Sequence, residues 1–172
     1  LKSLDLADTP LSNTHLRPLS RLGNLERLLM HSSKLTGEWF QELKPLSKLQ
    51  HLDLAGTTVT DQDVVSINSL GALTSLVLDD TQLSNVGLAG LARPARLKDL
   101  SVAGTRVSDA GLAPLRLLTK LESINLSRNR ITNKGLVNLL TLGQLRGLGL
   151  GGTRISNSGL RQLTSLKSLE VL

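Results

Sequence analysis

Leu97-Lys-Asp-Leu100-Ser-Val102-Ala-Gly-Thr105-Arg-Val107-Ser108-Asp109-Ala-Gly111-Leu112-Ala-Pro-Leu115-Arg-Leu-Leu118-Thr-Lys120 carries two periodicities within 24 residues. Leu100 and Val102, separated by Ser101, follow the two-residue period of a strand with one buried face. Leu112, Leu115 and Leu118 follow helical spacing. Between them stand Thr105 and the pair Ser108-Asp109, residue types that bond to backbone where a strand ladder stops and a helix begins.

Shifting the sequence against itself by 24 reproduces this unit without insertion or deletion, at Leu1, Leu25, Leu49, Leu73, Leu97, Leu121 and Leu145, with Leu169-Glu-Val-Leu172 opening an eighth. Apolar residues fill repeat positions 1, 4, 6, 11, 16, 19 and 22, and the one clear exception is Pro94. Position 12 is always Ser or Thr, from Ser12 to Ser156, and position 13 is Asn or Asp except at Gly37. This pattern predicts a helix N-cap at the same point of every unit. Position 9 (Thr9, Ser33, Thr57, Thr81, Thr105, Asn129, Thr153) is expected to bond loop backbone and stitch neighbouring loops together.

No single unit of this size buries its own leucine face, so the units must stack on one continuous core. The predicted fold class is α/β: a curved solenoid, or horseshoe, with a parallel sheet on its concave side and short helices on its convex side. Seven strands at ~4.8 Å spacing make a sheet roughly 30 Å across.

Composition agrees. The chain has 172 residues, enough for one domain, and 1% aromatic content, so its 40% apolar fraction is nearly all aliphatic. With no cysteine, disulfides, zinc-thiolate sites and thiol nucleophiles are excluded within it, and compartment is not readable from redox chemistry. No run of 18 apolar residues provides a membrane span. The net charge of +6 permits an anionic partner without requiring one.

The form Gly-Thr-Arg-Val-Ser-Asp-Ala-Gly-Leu (104–112), echoed by Gly-Thr-Arg-Ile-Ser-Asn-Ser-Gly-Leu (152–160), resembles the leucine-rich repeat family over the whole chain. It is similar to 24-residue bacterial repeats abundant in planctomycete-type proteins, and more distantly to the cysteine-containing repeats of F-box proteins, which have Cys where Thr stands here. The resemblance implies protein recognition by the concave surface. The chain starts at a leucine that opens a repeat and stops four residues into the next strand, and no polar caps are encoded, so it is expected to be a segment of a longer protein.

Outward positions on the sheet are 3, 5, 7 and 8, with position 10 at the rim. The first four repeats place Asp5, Asp8, Asp53, Asp79 and Asp80 there, among Leu29, His31, His51 and Val77. The last three place Asp99 but also Arg106, Arg128, Arg130 and Arg154, so the surface is expected to be acidic at one end and basic at the other. Such polarity would steer a partner of opposite polarity, or it is an ordinary solvated surface. Leu29 and Val77, on either side of Asp53, would supply an apolar centre, or are scattered exposed aliphatics. The expected partner-binding set is therefore Leu29, His31, Asp53, Val77, Asp79, Asp80, Arg106, Arg128, Arg130 and Arg154.

Other features invite sharper readings. His31, Asp53 and Asp79 lie diagonally on adjacent strands and could ligate a divalent metal only if they closed by several Å; no metal or cofactor is assigned. Gly147-Leu-Gly-Leu-Gly-Gly152 matches a dinucleotide fingerprint by letter, yet Leu148 and Leu150 keep the strand phase of every other repeat. These glycines instead leave a bare strip of backbone beside Arg128, Arg130 and Arg154, or mark a relaxed repeat. In Thr36-Gly37-Glu38-Trp39-Phe40, Phe40 takes a core position, and Trp39 fills a packing gap or marks a convex contact. Asn125-Leu-Ser127 fits a glycosylation sequon but falls on a ladder strand.

The leading functional expectation is a non-enzymatic scaffold for a protein partner. The alternative is nucleic acid or an anionic surface held by convex basic residues: Arg17, Arg21, Lys44, Lys48, Arg93, Arg96, Arg116, Lys120, Arg161 and Lys167. Nucleic acid is disfavoured because no stacking aromatics accompany them.

Overall fold

The computed structural model describes residues 1–11, 16–35, 39–91 and 96–172. The expectations for Ser12, Asn13, Thr36, Gly37, Glu38, Arg93 and Pro94 lie outside the described residues.

Seven three-residue strands form one parallel sheet in chain order: β1 (Ser3–Asp5), β2 (Arg27–Leu29), β3 (His51–Asp53), β4 (Ser75–Val77), β5 (Asp99–Ser101), β6 (Ser123–Asn125) and β7 (Gly147–Gly149). The register offset equals the repeat length throughout, so Leu4, Leu28, Leu52, Leu76, Leu100, Ile124 and Leu148 stand side by side. Val171 bridges to Gly147 and continues the order. The ladder runs past each strand to position 8, where Gly56, Gly104 and Arg128 donate to Asp79, Ser127 and Gly151 carbonyls at 2.7, 2.9 and 2.7 Å. There every repeat turns with positive φ, from 54° at Asp8 and Asp80 to 70° at Gly152. Left-handed backbone suits Gly and is tolerated by Asp; the Arg at 128 is the residue least suited to it.

The core is a stack of buried aliphatics from Leu16 to Leu166. In the first and last full repeats of this sequence the core is less covered. Leu4, Leu6, Leu11, Leu150 and Ile155 are half-buried there, and Leu160, in a position that is core elsewhere, is 41% exposed. Trp39 is 1% exposed and meets Phe40 edge-on at 5.4 Å, so it fills the core and makes no convex contact.

On the other side, α-helices span Asp61–Ile67, Asn85–Gly90, Asn133–Leu136 and Asn157–Gln162, and 3₁₀ turns span Arg17–Arg21 and Ala113–Leu117. Pro18 and Pro114 sit in the first turn, where an N–H has no intrahelical partner and the fixed φ of proline suits the start of a helical turn.

Two capping expectations are refined. Ser84 and Thr132 do accept from the amides of Val86 and Lys134, at 3.1 and 3.2 Å, whereas Ser108 and Ser156 hold the N-cap position without a side-chain bond to their own helix. Position 13, however, serves the next repeat: Asp61, Asn85, Asp109 and Asn133 each accept from the position-12 amide one repeat on, at 2.7, 2.9, 2.8 and 3.1 Å. These bonds stitch the array together.

At position 9, by contrast, Thr57, Thr81 and Thr153 donate to the carbonyl three residues back in their own repeat, at 2.6, 2.7 and 2.6 Å. They close a turn and cross no boundary, because a short hydroxyl reaches the nearer carbonyl. Ser33 and Asn129 do cross. Asn129 donates to the Val102 carbonyl at 2.7 Å and accepts from the Thr105 amide at 3.0 Å.

Candidate partner-binding surface

The strand register places Leu29, Asp53 and Val77 directly beside one another on β2, β3 and β4, all three partly exposed on the sheet face. The Asp53 carboxylate also accepts from its own Ala55 amide at 3.0 Å, as Asp5 does from Ala7 at 3.0 Å and Asn125 from Ser127 at 3.1 Å. Each of these closes an Asx turn that ends the strand.

His31 stands between two carboxylates, with Nδ1 3.4 Å from Asp53 and Nε2 3.9 Å from Asp8. Asp79 does not join them. It accepts from Ser101 Oγ at 2.6 Å and from the Ala103 amide at 2.7 Å, supplying repeat five with the acceptor that Ser101 cannot offer as an Asx turn. The diagonal His31, Asp53 and Asp79 therefore do not converge, and Asp79 is a framework residue turned along the sheet.

Asp80 and Arg128 are not free opposite charges at two ends of the surface. They form an ion pair at 2.9 Å across two repeats. It passes over Gly104, where a Cβ would collide with Asp80 Oδ1 and stand 3.3 Å from the Arg128 guanidinium. The acidic and basic halves are thus joined at this point.

Arg106, Arg130 and Arg154 are exposed, and their backbone amides donate to Leu83, Val107 and Ile131 of the preceding repeats at 2.9, 3.2 and 2.8 Å. The glycines beside them are less bare than expected. Ser123 Oγ lies 3.0 Å from where a Cβ on Gly147 would stand, and Asn125 covers the same place over Gly149. Neighbouring side chains lean over the strip because nothing on β7 holds them off.

Position 3, of which the sequence reading named His51 and Asp99 but not Arg27 and Ser75, gives a continuous row in which Arg27, His51, Ser75 and Asp99 are consecutive register partners. His51 Nδ1 lies 2.9 Å from Ser75 Oγ. Burial, then Arg27, lowers the pKa of His51; burial, then Glu122, raises that of Asp99. Position 2 was missed as well. Lys2–Glu26, Lys98–Glu122 and Arg146–Glu170 pair across adjacent repeats at 2.9, 2.6 and 2.7 Å along the edge where the strands begin. Aligning position 2 by itself shows the alternating signs.

A notch of ~390 Å³ at the same edge is lined by Glu122, Gly143, Gln144, Arg146, Ser168 and Glu170, and most of its charge is already paired. The basic residues of the helix side that are described, including Arg116, Lys120 and Arg161, are exposed and spread along its length. No helix among the described residues is long and apolar enough to cross a membrane.

Residues 46–67 and 118–140 match the family described as Leucine Rich repeat. No curated protein matches the sequence. Among solved structures, the crystal structure of internalin C2 from Listeria monocytogenes superposes with a TM-score of 0.68 at 26% identity, over 99% of this chain and 79% of that one. An internalin (inlF) from the same organism gives 0.58 at 21% identity, over 99% of this chain and 60% of that one, a likeness of fold alone.

Proposed function

We propose that this leucine-rich repeat solenoid is a protein-interaction scaffold that takes its partner on the concave sheet. Leucine-rich repeat proteins are generally protein-interaction scaffolds and typically non-enzymatic. The observation that carries the reading here is the Leu29–Asp53–Val77 row, two partly exposed aliphatics flanking a carboxylate on consecutive strands. Aliphatic surface beside a hydrogen-bond acceptor on one face offers a partner both apolar burial and a polar contact. The backbone beneath it is held by the ladder, so binding costs little ordering of the receptor.

Within the expected set, Leu29, His31, Asp53, Val77, Arg106, Arg130 and Arg154 are read as contacts, with Asp80 and Arg128 as a paired charge at the centre. Asp79 is read as support. We also read the repeats as the 24-residue bacterial, planctomycete-like type, from the Gly-Thr-Arg segments at 104–106 and 152–154.

The test is capture and variation. Proteins retained by the immobilised chain are identified, and the strongest is titrated against Leu29→Glu/Val77→Glu and against the helix-side control Val86→Glu/Val137→Glu. Loss with the first pair and retention with the second supports the concave site. The opposite pattern would put the partner on the helix side.

A further inference from the structure

We propose that the rim row of Arg106, Arg130 and Arg154 receives an extended acidic stretch of the protein partner. This rests on the scaffold reading above and adds to it the chemistry of what is bound.

The three arginines occupy one repeat position on three consecutive repeats. Their amides are tied to Leu83, Val107 and Ile131, and Arg130 and Arg154 also belong to parallel bridges with Ser108 and Thr132. The side chains therefore leave a second, short backbone ladder parallel to the main sheet, at about 4.8 Å spacing. A fixed row of this kind is a built feature; three arginines scattered over a loop would not be.

The row carries charge that the chain does not balance. None of the ion pairs among the described residues includes Arg106, Arg130 or Arg154. Nearby acids are committed elsewhere: Asp80 to Arg128, Asp79 to Ser101 and Ala103, and Asp109 to the Thr132 amide and hydroxyl at 2.8 and 2.6 Å. Three like charges at this spacing repel one another until a ligand supplies the counter-charge.

Carboxylates fit the row better than nucleic-acid phosphates. A guanidinium fork binds a carboxylate through two parallel hydrogen bonds. A run of acidic residues in an extended chain presents a carboxylate to one face about every 6.8 Å, a spacing that long, flexible arginine side chains on a ~4.8 Å ladder can reach. Duplex DNA presents a charge about every 1.7 Å, far more than three arginines neutralise. Nor is there anything to stack a base on, since both aromatic side chains are buried in the second repeat. The sheet face beyond the row carries Asp53 and Asp99, which would repel a long polyanion and tolerate a short acidic segment.

The experiment titrates the whole chain with a fluorescent octaglutamate peptide, with octaglutamine and an eight-nucleotide oligothymidylate as competitors. Octaglutamate is expected to bind and to weaken with added salt. Arg106→Gln/Arg130→Gln/Arg154→Gln should weaken it by on the order of tenfold or more, whereas Arg116→Gln/Lys120→Gln/Arg161→Gln on the helix side should not. The triple Lys replacement of the row should fall between wild type and the Gln variant, because an ammonium keeps the charge and loses the fork. Far-UV circular dichroism checks that each variant is folded. Equal binding by wild type and the row variant overturns the proposal, as does an oligothymidylate that displaces the peptide and depends on the same arginines. Leu29→Glu/Val77→Glu should leave peptide affinity intact, so a failed concave site and a failed arginine row give different results.

Discussion

Asp61 and Gly87 are fitted to each other across a repeat boundary: the Asp61 carboxylate reaches the Ser84 amide and hydroxyl at 2.7 and 2.5 Å and lies where a Cβ on Gly87 would stand. The same fit pairs Asn85 with Gly111, Asp109 with Gly135 and Asn133 with Gly159. In repeats four to seven, glycine at position 15 thus makes room for the position-13 side chain one repeat earlier, while Trp39, which follows Asn13, departs from this pairing. The sequence holds a natural control, because Asp63 occupies position 15 where the preceding position 13 is Gly37.

Gly111→Ala should accordingly destabilise the fold by about 1 to 3 kcal/mol, since Asn85 cannot move without abandoning the Ser108 amide. Adding Asn85→Gly should cost less than the sum of the two single changes. Urea denaturation of the four proteins in the cycle measures the coupling. Strict additivity would show that the two sites are independent.

Asn129→Ala should cost about 1 to 3 kcal/mol by emptying a buried polar position and leaving the half-buried Thr105 amide without its acceptor. Thr105→Val should cost less, because Asn129 still accepts from that amide and donates to the Val102 carbonyl. A larger loss at Thr105 would mean that the hydroxyl, and not the crossing amide, holds this turn.

Leu112 and Leu160 share repeat position 16, but only Leu112 is buried. Leu112→Ala should cost about 2 to 5 kcal/mol through a cavity. Leu160→Ala, at a site open to water, should stay within roughly 0.5 to 1 kcal/mol. Equal losses would show that the helix side of the last repeat is covered in solution.

The row at position 3 gives stability a defined dependence on pH. His51 titrates below its ordinary value of about 6.5, so the unfolded chain takes a proton that the folded chain refuses. Stability therefore falls as pH drops below that value, and His51→Gln should flatten this part of the profile. Asp99 titrates above its ordinary value, so the folded form gains from holding the proton and loses that gain as pH rises through the raised pKa. Asp99→Asn should raise the denaturation midpoint at neutral pH. An unchanged midpoint would show that Asp99 is as well solvated folded as unfolded.

The repeat period, strand phase and capping position are legible in the sequence because each is written seven times, and a period-two run beside helical spacing has one sheet and one helix to build. What one repeat does for the next is harder to read. Asp79 looks like a free surface carboxylate until Ser101, on the neighbouring strand, is seen to leave the Ala103 amide without an Asx turn. Asp80 and Arg128 are 48 residues apart and meet only because Gly104 lets them pass over it. The ion pairs of position 2 were legible in principle; they went unread because position 2 belongs to neither periodic face.

Arg128 sets stability against binding. It holds φ at 58°, a conformation that is unfavourable by roughly 1 to 2 kcal/mol for a residue with a Cβ and free for glycine, which fills the equivalent place in Gly56, Gly104 and Gly152. Its ion pair with Asp80 is exposed on both sides and so contributes at most about 1 kcal/mol. Relief of strain should then equal or outweigh the lost pair, and Arg128→Gly should leave the chain as stable as wild type or more stable by up to about 1 kcal/mol. If the concave surface holds the partner, the same change frees the Asp80 carboxylate and removes a positive charge from the middle of that surface. Partner association should slow and lose part of its salt dependence. Urea midpoints and association rates on the one variant separate the two effects. A clear loss of stability would mean that the ion pair, not the backbone, governs this position, and an unchanged association rate would take Arg128 out of the interface.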